Sequence, residues 1–154
     1  MGDCEVFWNP PGHVLARWNR VLVQIRTGAM TLDIATQIQT SGKLARFRIP
    51  PPQRIGFLAV VAANAPLAER DAIPVQRENL ARLSADERIH SAVVSEGSGP
   101  GAMIKRAFLR PMLRGPRIEM FATVGPAVAW LLKAIDEPDV RGLLDYVAAL
   151  RSAL

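Results

Sequence analysis

The chain has 154 residues, 49% of them hydrophobic and 21% charged, with a formal charge of +5. That length fits one domain with a sizeable core, and that composition excludes disorder over most of it. No uninterrupted apolar run approaches the roughly 20 residues that cross a bilayer, and the acidic start Met1-Gly2-Asp3-Cys4-Glu5 lacks the basic and apolar stretches of a signal peptide.

Cys4 is the only cysteine, so no internal disulfide is available and a reducing, cytoplasmic setting is expected. Met1-Gly2 beside Cys4 evokes lipidation, but the myristoylation pattern wants Ser or Thr where Val6 stands, and a frayed terminus is the simpler reading. Positive charge is unevenly placed. Arg17, Arg20, Arg26, Lys43, Arg46, Arg48 and Arg54 face only one acid in that stretch, Asp33. Lys105, Arg106, Arg110, Arg114 and Arg117 form a second basic set, while acids gather from Glu69 to Glu96 and from Asp136 to Asp145. Such asymmetry attracts an acidic partner, a phosphate or an anionic membrane surface. The plainer alternative is an arginine-rich solvated surface.

In chain order, residues 1–12 are expected to be irregular, with Asn9-Pro10-Pro11-Gly12 as a turn. Residues 13–18 and 21–26 read as strands joined through Asn19-Arg20 as a hairpin. In the second, Val21, Val23 and Ile25 share a face, while Gln24 and Arg26 point the other way. Thr31 caps a helix with Asp33 in its first turn. Ile34, Ala35, Ile38 and Ala45 keep helical spacing, and Gly42 is a candidate end. Pro50-Pro51-Pro52 makes a stiff connector.

The apolar run 55–61 suits a central strand covered on both faces. Pro74 opens a helix over 75–84, with Leu80 and Leu83 on one face. Residues 89–94 form the next strand, followed by a glycine-rich turn and a helix over about 101–113. Residues 118–122 are the last strand, and Pro126 sits near the first position of the helix after it. A final helix over about 138–154 carries Val140, Leu143, Leu144, Val147, Leu150 and Leu154 as an apolar stripe. Alternating strands and helices imply an α/β domain with a mainly parallel sheet.

The opening hairpin, Gly28-Ala29-Met30-Thr31-Leu32-Asp33 entering the first helix, and Phe121-Ala122-Thr123-Val124 running into Ala127-Val128-Ala129-Trp130-Leu131 resemble the STAS-like family. The closer resemblance is to its uncharacterised bacterial SpoIIAA-like branch. The likeness spans about residues 13–135. It implies a curved sheet of about five strands, opened by an N-terminal hairpin, and a protein-interaction or regulatory role. Regulatory members carry a phosphorylatable Ser or Thr after the central strand. Here Ala62-Ala63-Asn64-Ala65-Pro66 follows, without a hydroxyl, so that switch does not carry over. The expected organisation is an irregular segment over 1–12, the STAS-like domain over 13–135, and a helix over 136–154 packed on the domain or at a dimer interface.

Chemistry finds little support. His13 and His90 have no metal-ligand spacing, and no cofactor is expected. Ser91, Ser95 and Ser98 lie near His90 and Glu96 in sequence, but the nucleophile motif Gly-x-Ser-x-Gly is absent. Glu96-Gly97-Ser98-Gly99-Pro100-Gly101 lies between a strand and a helix, where free amides hold an anion, and Lys105 and Arg106 add charge. It is neither a P-loop nor a dinucleotide fingerprint, and a plain turn is the competing reading.

In the next helix Ile104, Phe108 and Met112, widened by Leu109 and Leu113, make a stripe beside Lys105, Arg106, Arg110 and Arg114. It reads either as a cover on the sheet or as a basic surface for a partner or anionic lipid. Nucleic acid is disfavoured, because the basic segments lack interleaved aromatics. The expectation is a non-catalytic interaction or regulatory domain acting near Ser98, Gly99, Gly101, Lys105, Arg106 and Arg110. The alternative is a small anionic or lipid-like ligand at that turn, and a homodimer through Val140, Leu143, Leu144 and Val147 is a further option.

Overall fold

The computed structural model describes residues 3–113 and 115–154; the Met1-Gly2 lipidation reading and the basic Arg114 lie outside them. Three antiparallel strands open the chain: β1 (Cys4–Trp8), β2 (His13–Trp18) and β3 (Val21–Arg26). Three parallel strands follow, β4 (Ile55–Val61), β5 (Ile89–Ser95) and β6 (Ile118–Phe121), giving one mixed six-stranded sheet in the order β1-β2-β3-β4-β5-β6.

Residues 1–12, expected to be irregular, therefore hold a strand, and the sheet has six strands rather than about five. Val6, Phe7 and Trp8 suit an edge position. The β1–β2 register slips between Val6 and Trp8, so strict alternation is lost there, and β1 is only half-buried. Trp8 Nε1 donates to Gln37 Oε1 at 2.7 Å and ties this edge to the first helix.

Each parallel step carries a helix: α1 (Leu32–Phe47), α2 (Ile73–Ala85) and α3 (Pro100–Leu109). Because strand order runs steadily from β3 to β6, crossovers of one hand put all three helices on one face. The other face is covered by α4 (Val124–Ile135) and α5 (Val140–Ser152).

Strand alternation sorts the side chains accordingly. Val21, Val23 and Ile25 of β3, Leu58 and Val60 of β4, and Ala92 and Val94 of β5 meet α4 and α5. Leu22, Ile55, Phe57 and Ile89 point toward α1 and α2.

The α4 side is closely filled. Ala127, Val128, Leu131, Leu132 and Ile135 recur at helical spacing and are buried. Gly56 permits the close approach: a Cβ there would stand 3.2 Å from side-chain atoms of Ile135, Leu131 and Val21. Leu143 and Val147 of α5 are buried in this same core, with Val140 and Leu144 packed half-buried beside them. The α5 stripe thus serves the chain's own core, and a twofold contact through Leu143 and Val147 would first have to uncover them.

Two helices depart from expectation. Thr31 Oγ1 accepts from Ile34 N at 3.1 Å and caps α1 as expected, but α1 continues through Gly42 to Phe47. At α3, the helix gives way at Arg110–Met112 to a tighter turn containing Pro111, as a proline inside a helix requires. Its buried residues are Ala102 and Leu109, whereas Ile104 is 58% exposed and Met103 67% exposed. The expected Ile104–Phe108–Met112 stripe is therefore rotated away from the sheet at its first member.

Candidate functional site

The turn after β5 is exposed at its tip and tied down at its base. Gly97 and Gly99 take positive φ, and Ser98, Gly99 and Gly101 are exposed. Lys105 Nζ donates to Ala63 O at 2.8 Å. Arg106 Nη2 donates to Ser95 O at 3.0 Å and to Gly97 O at 2.6 Å. Both cations thus clasp the chain's own carbonyls, and only Arg110 of the three is exposed. Glu96 is held at its two oxygens by Arg151, at 2.6 and 2.8 Å. That contact raises the Arg151 pKa against the opposing effect of burial.

His90 and Ser91 are consecutive on β5 and point to opposite faces, and Ser95 lies on the Ser91 side. Burial, then the Arg54 and Arg117 charges, lower the His90 pKa. His13 Nε2 stands 3.0 Å from Ala29 O, while its buried Nδ1 has no partner among the described residues. Burial lowers its pKa, with nearby Arg26 acting in the same direction. This is a neutral ring donating from Nε2. Among the described residues, no three His, Cys, Asp or Glu side chains cluster as a metal site. No helix among them is long and apolar enough to cross a membrane.

A concave feature lies between the sheet and the α1–α2 pair. It has a volume of about 100 Å³, of the order of the engineered cavity of about 150 Å³ that takes up benzene. Its origin is visible in the residues that α1 turns inward. Ala35, Ile38, Gly42 and Arg46 all line it, and their spacing is that of one helical face. Two of the four are very small, and a Cβ built on Gly42 would meet nothing within 4 Å. On the opposing floor, Ala59 of β4 adds a third small residue between Phe57 and Val61.

Polar groups converge on this apolar space. From α2, Gln76, Asn79, Leu80 and Leu83 line it, so two amides share the helix's inward face with two leucines. Gln76 Oε1 and Asn79 Oδ1 are buried and have no hydrogen-bond partner among the described residues. The Asn79 amide nitrogen donates to Ala35 O at 3.3 Å. A buried acceptor left without a donor costs about 1–3 kcal/mol, so these groups oppose stability unless something occupies the space.

From β3, Gln24 and Arg26 reach the cavity. Arg26 is 5% exposed. Its Nη1 donates to Gly28 O at 3.2 Å and to Pro66 O at 2.7 Å. Among the described residues, the buried Arg17 pairs with Asp3 at 2.9 Å, whereas the buried Arg26 has no ion pair with an acid. Burial holds its pKa below the ordinary arginine value. A smaller adjoining cavity of about 10 Å³ is lined by Arg26, Gln76, Leu67, Lys105 and Phe108. Arg26 and Gln76 border both spaces.

Two signals for this site stand in the sequence. Gln24 and Arg26 alternate away from the apolar face of β3. Gln76 and Asn79 sit three and four residues before Asn79 and Leu83 respectively, on the helical face assigned only to Leu80 and Leu83. What the sequence does not contain is the facing of Gly42, Ala35 and Ala59 across the layer, which opens the space. No protein-family model, curated protein or solved structure matches the chain, so functional inference starts from this geometry.

Proposed function

We propose that this chain is a non-catalytic binding module that holds a small amphipathic ligand in the cavity between α1, α2 and the sheet. The observation that carries it is an apolar cavity bordered by a buried arginine without an acid partner among the described residues. Binding sites combine an apolar lining with a few convergent polar groups in this way. The proposal keeps the small anionic or lipid-like ligand expected from the sequence and moves it from the Ser98 turn to the α1–α2 layer.

The module's kinship is proposed to be STAS-like, supported by the hairpin entry and the repeated strand–helix steps. The absent hydroxyl after β4 argues for control by ligand rather than by phosphorylation. The test is displacement of a bound fluorescent naphthalene sulfonate by amphipathic acids. Wild type should show saturable, displaceable binding, and Gly42→Phe should lose it while remaining folded by circular dichroism. Undiminished binding in a folded Gly42→Phe would refute the location.

A second reading, docking of a protein partner on α3, is favoured by the exposed Met103 and Ile104 beside Lys105. It predicts that Met103→Gln/Ile104→Gln leaves ligand uptake intact and abolishes crosslinking to that partner in cell extract. Unchanged crosslinking would reject it.

A further inference from the structure

Resting on the cavity reading above, we infer that the ligand is a medium-length apolar carboxylic acid carrying a hydroxyl or amide N–H close to its carboxylate, with the carboxylate bound by Arg26. Arg26 offers a cation that the protein has desolvated without supplying an anion. A buried charge is costly until it is paired. Its Nη1 is committed to two carbonyls, and no described hydrogen bond uses Nε or Nη2. That free edge suits the paired oxygens of a carboxylate. Lys105, the other cation nearby, directs its Nζ to Ala63 O. One buried positive charge matches a monoanion better than a dianionic phosphate.

The donor follows from the two amides. Gln76 Oε1 and Asn79 Oδ1 accept and cannot donate, and an ionised carboxylate cannot donate to them either. A second group on the ligand, a hydroxyl or amide N–H, can donate to one of them. Gln76 borders both cavities together with Arg26, which puts the donor near the head. Asn79 lies three residues further along α2, a rise of about 4.5 Å. Beyond it Leu83 meets Leu22 and Phe57 in one apolar cluster. Arg26 and Leu22, which both line the cavity, are four residues apart on β3, about 13 Å, and we place the tail along this stretch.

The other cation lining the space that lacks an ion pair, Arg46, is only half-buried and lies at the far end of α1. It serves as the internal control.

Calorimetric titration at neutral pH with decanoate, its β-hydroxy derivative, decanol and decyl phosphate provides the test. Wild type should bind decanoate on the order of tenfold to a hundredfold more tightly than decanol. The β-hydroxy acid should gain a further two- to tenfold or so. Arg26→Gln, which keeps amide donors for the two carbonyls, should erase the acid's advantage over the alcohol, and Arg46→Gln should preserve it.

Equal binding of decanoate and decanol by wild type overturns the head-group assignment and leaves the cavity reading standing. Tighter binding of decyl phosphate, or an acid advantage that depends on Arg46 instead, overturns the assignment in the same way. A β-hydroxy acid no tighter than decanoate removes the donor. Failure of all four compounds to bind removes the cavity reading as well. Should Arg26→Gln not fold, the wild-type ratio of acid to alcohol decides alone.

Discussion

Replacing Gly42 by alanine adds one methyl group to the wall of the cavity, and its effect can be worked from the structure. Gly42 lies inside α1 with four or more helical residues on either side, so it carries the full cost of an interior glycine. That cost is about 0.5–1 kcal/mol relative to alanine. No neighbouring atom lies within 4 Å of the new Cβ, so no repulsion offsets the gain. For a chain of this size each kcal/mol shifts Tm by about 2–4 °C, which puts the expected rise at about 1–4 °C by differential scanning calorimetry. Gly42→Leu extends further into the space; it should be at least as stable as Gly42→Ala and should exclude ligand. A loss of stability in Gly42→Ala would overturn this inference, because it would mean that the wall is packed and the cavity closed.

Gln76→Leu should stabilise the unliganded protein by about 1–3 kcal/mol in urea titrations, since it removes a buried acceptor without a partner, and should weaken ligand binding; a destabilised variant would show that the amide is already satisfied. Leu131→Ala, at a fully buried position under α4, should cost about 2–5 kcal/mol in the same titration, and a cost below about 1 kcal/mol would contradict the close filling of that face. The lowered His13 pKa fixes the sign of a pH effect. Between the folded and unfolded values the unfolded chain binds more protons, so stability is complete above the ordinary value of 6.5 and declines as pH falls below it. His90 acts in the same direction. Melting temperatures measured from neutral pH downward should decline below that value, and His13→Gln, which retains a donor for Ala29 O, should flatten the decline; an unaltered slope would remove His13 as its source.

The elements legible in the sequence are those whose periodicity is complete within one segment. The α5 stripe repeats over three turns and buries Leu143, Val147 and Leu150, three of the residues that the spacing selects. The five expected strands are present, since each is a dense run of residues suited to a half-buried or buried sheet.

What escapes is set by contacts between segments. Edge strand β1 exists because β2 offers it a free ladder, and the slip after Val6 hides its alternation. Helix α1 passes Gly42 because packing of Ala35 and Ala45 on either side holds it, overriding a local preference to stop. In α3, Lys105 and Arg106 reach back to the carbonyls of Ala63, Ser95 and Gly97, and this fixes a rotation that leaves Ile104 in water. The expected site followed glycines and positive charge along the chain. The cavity depends instead on small residues meeting across a layer, which no single segment encodes.

Methyl-resolved NMR titration of the wild-type protein with decanoate is the sharpest check on a ligand-holding cavity in the α1–α2 layer. Saturating shifts are expected at Ala35, Leu22, Ala59 and Val93, which line the cavity, with Val23, Val128 and Leu132 on the opposite face unmoved. Shifts confined to that opposite face or to the Met103–Ile104 surface, or an unchanged spectrum at saturating decanoate, would contradict it.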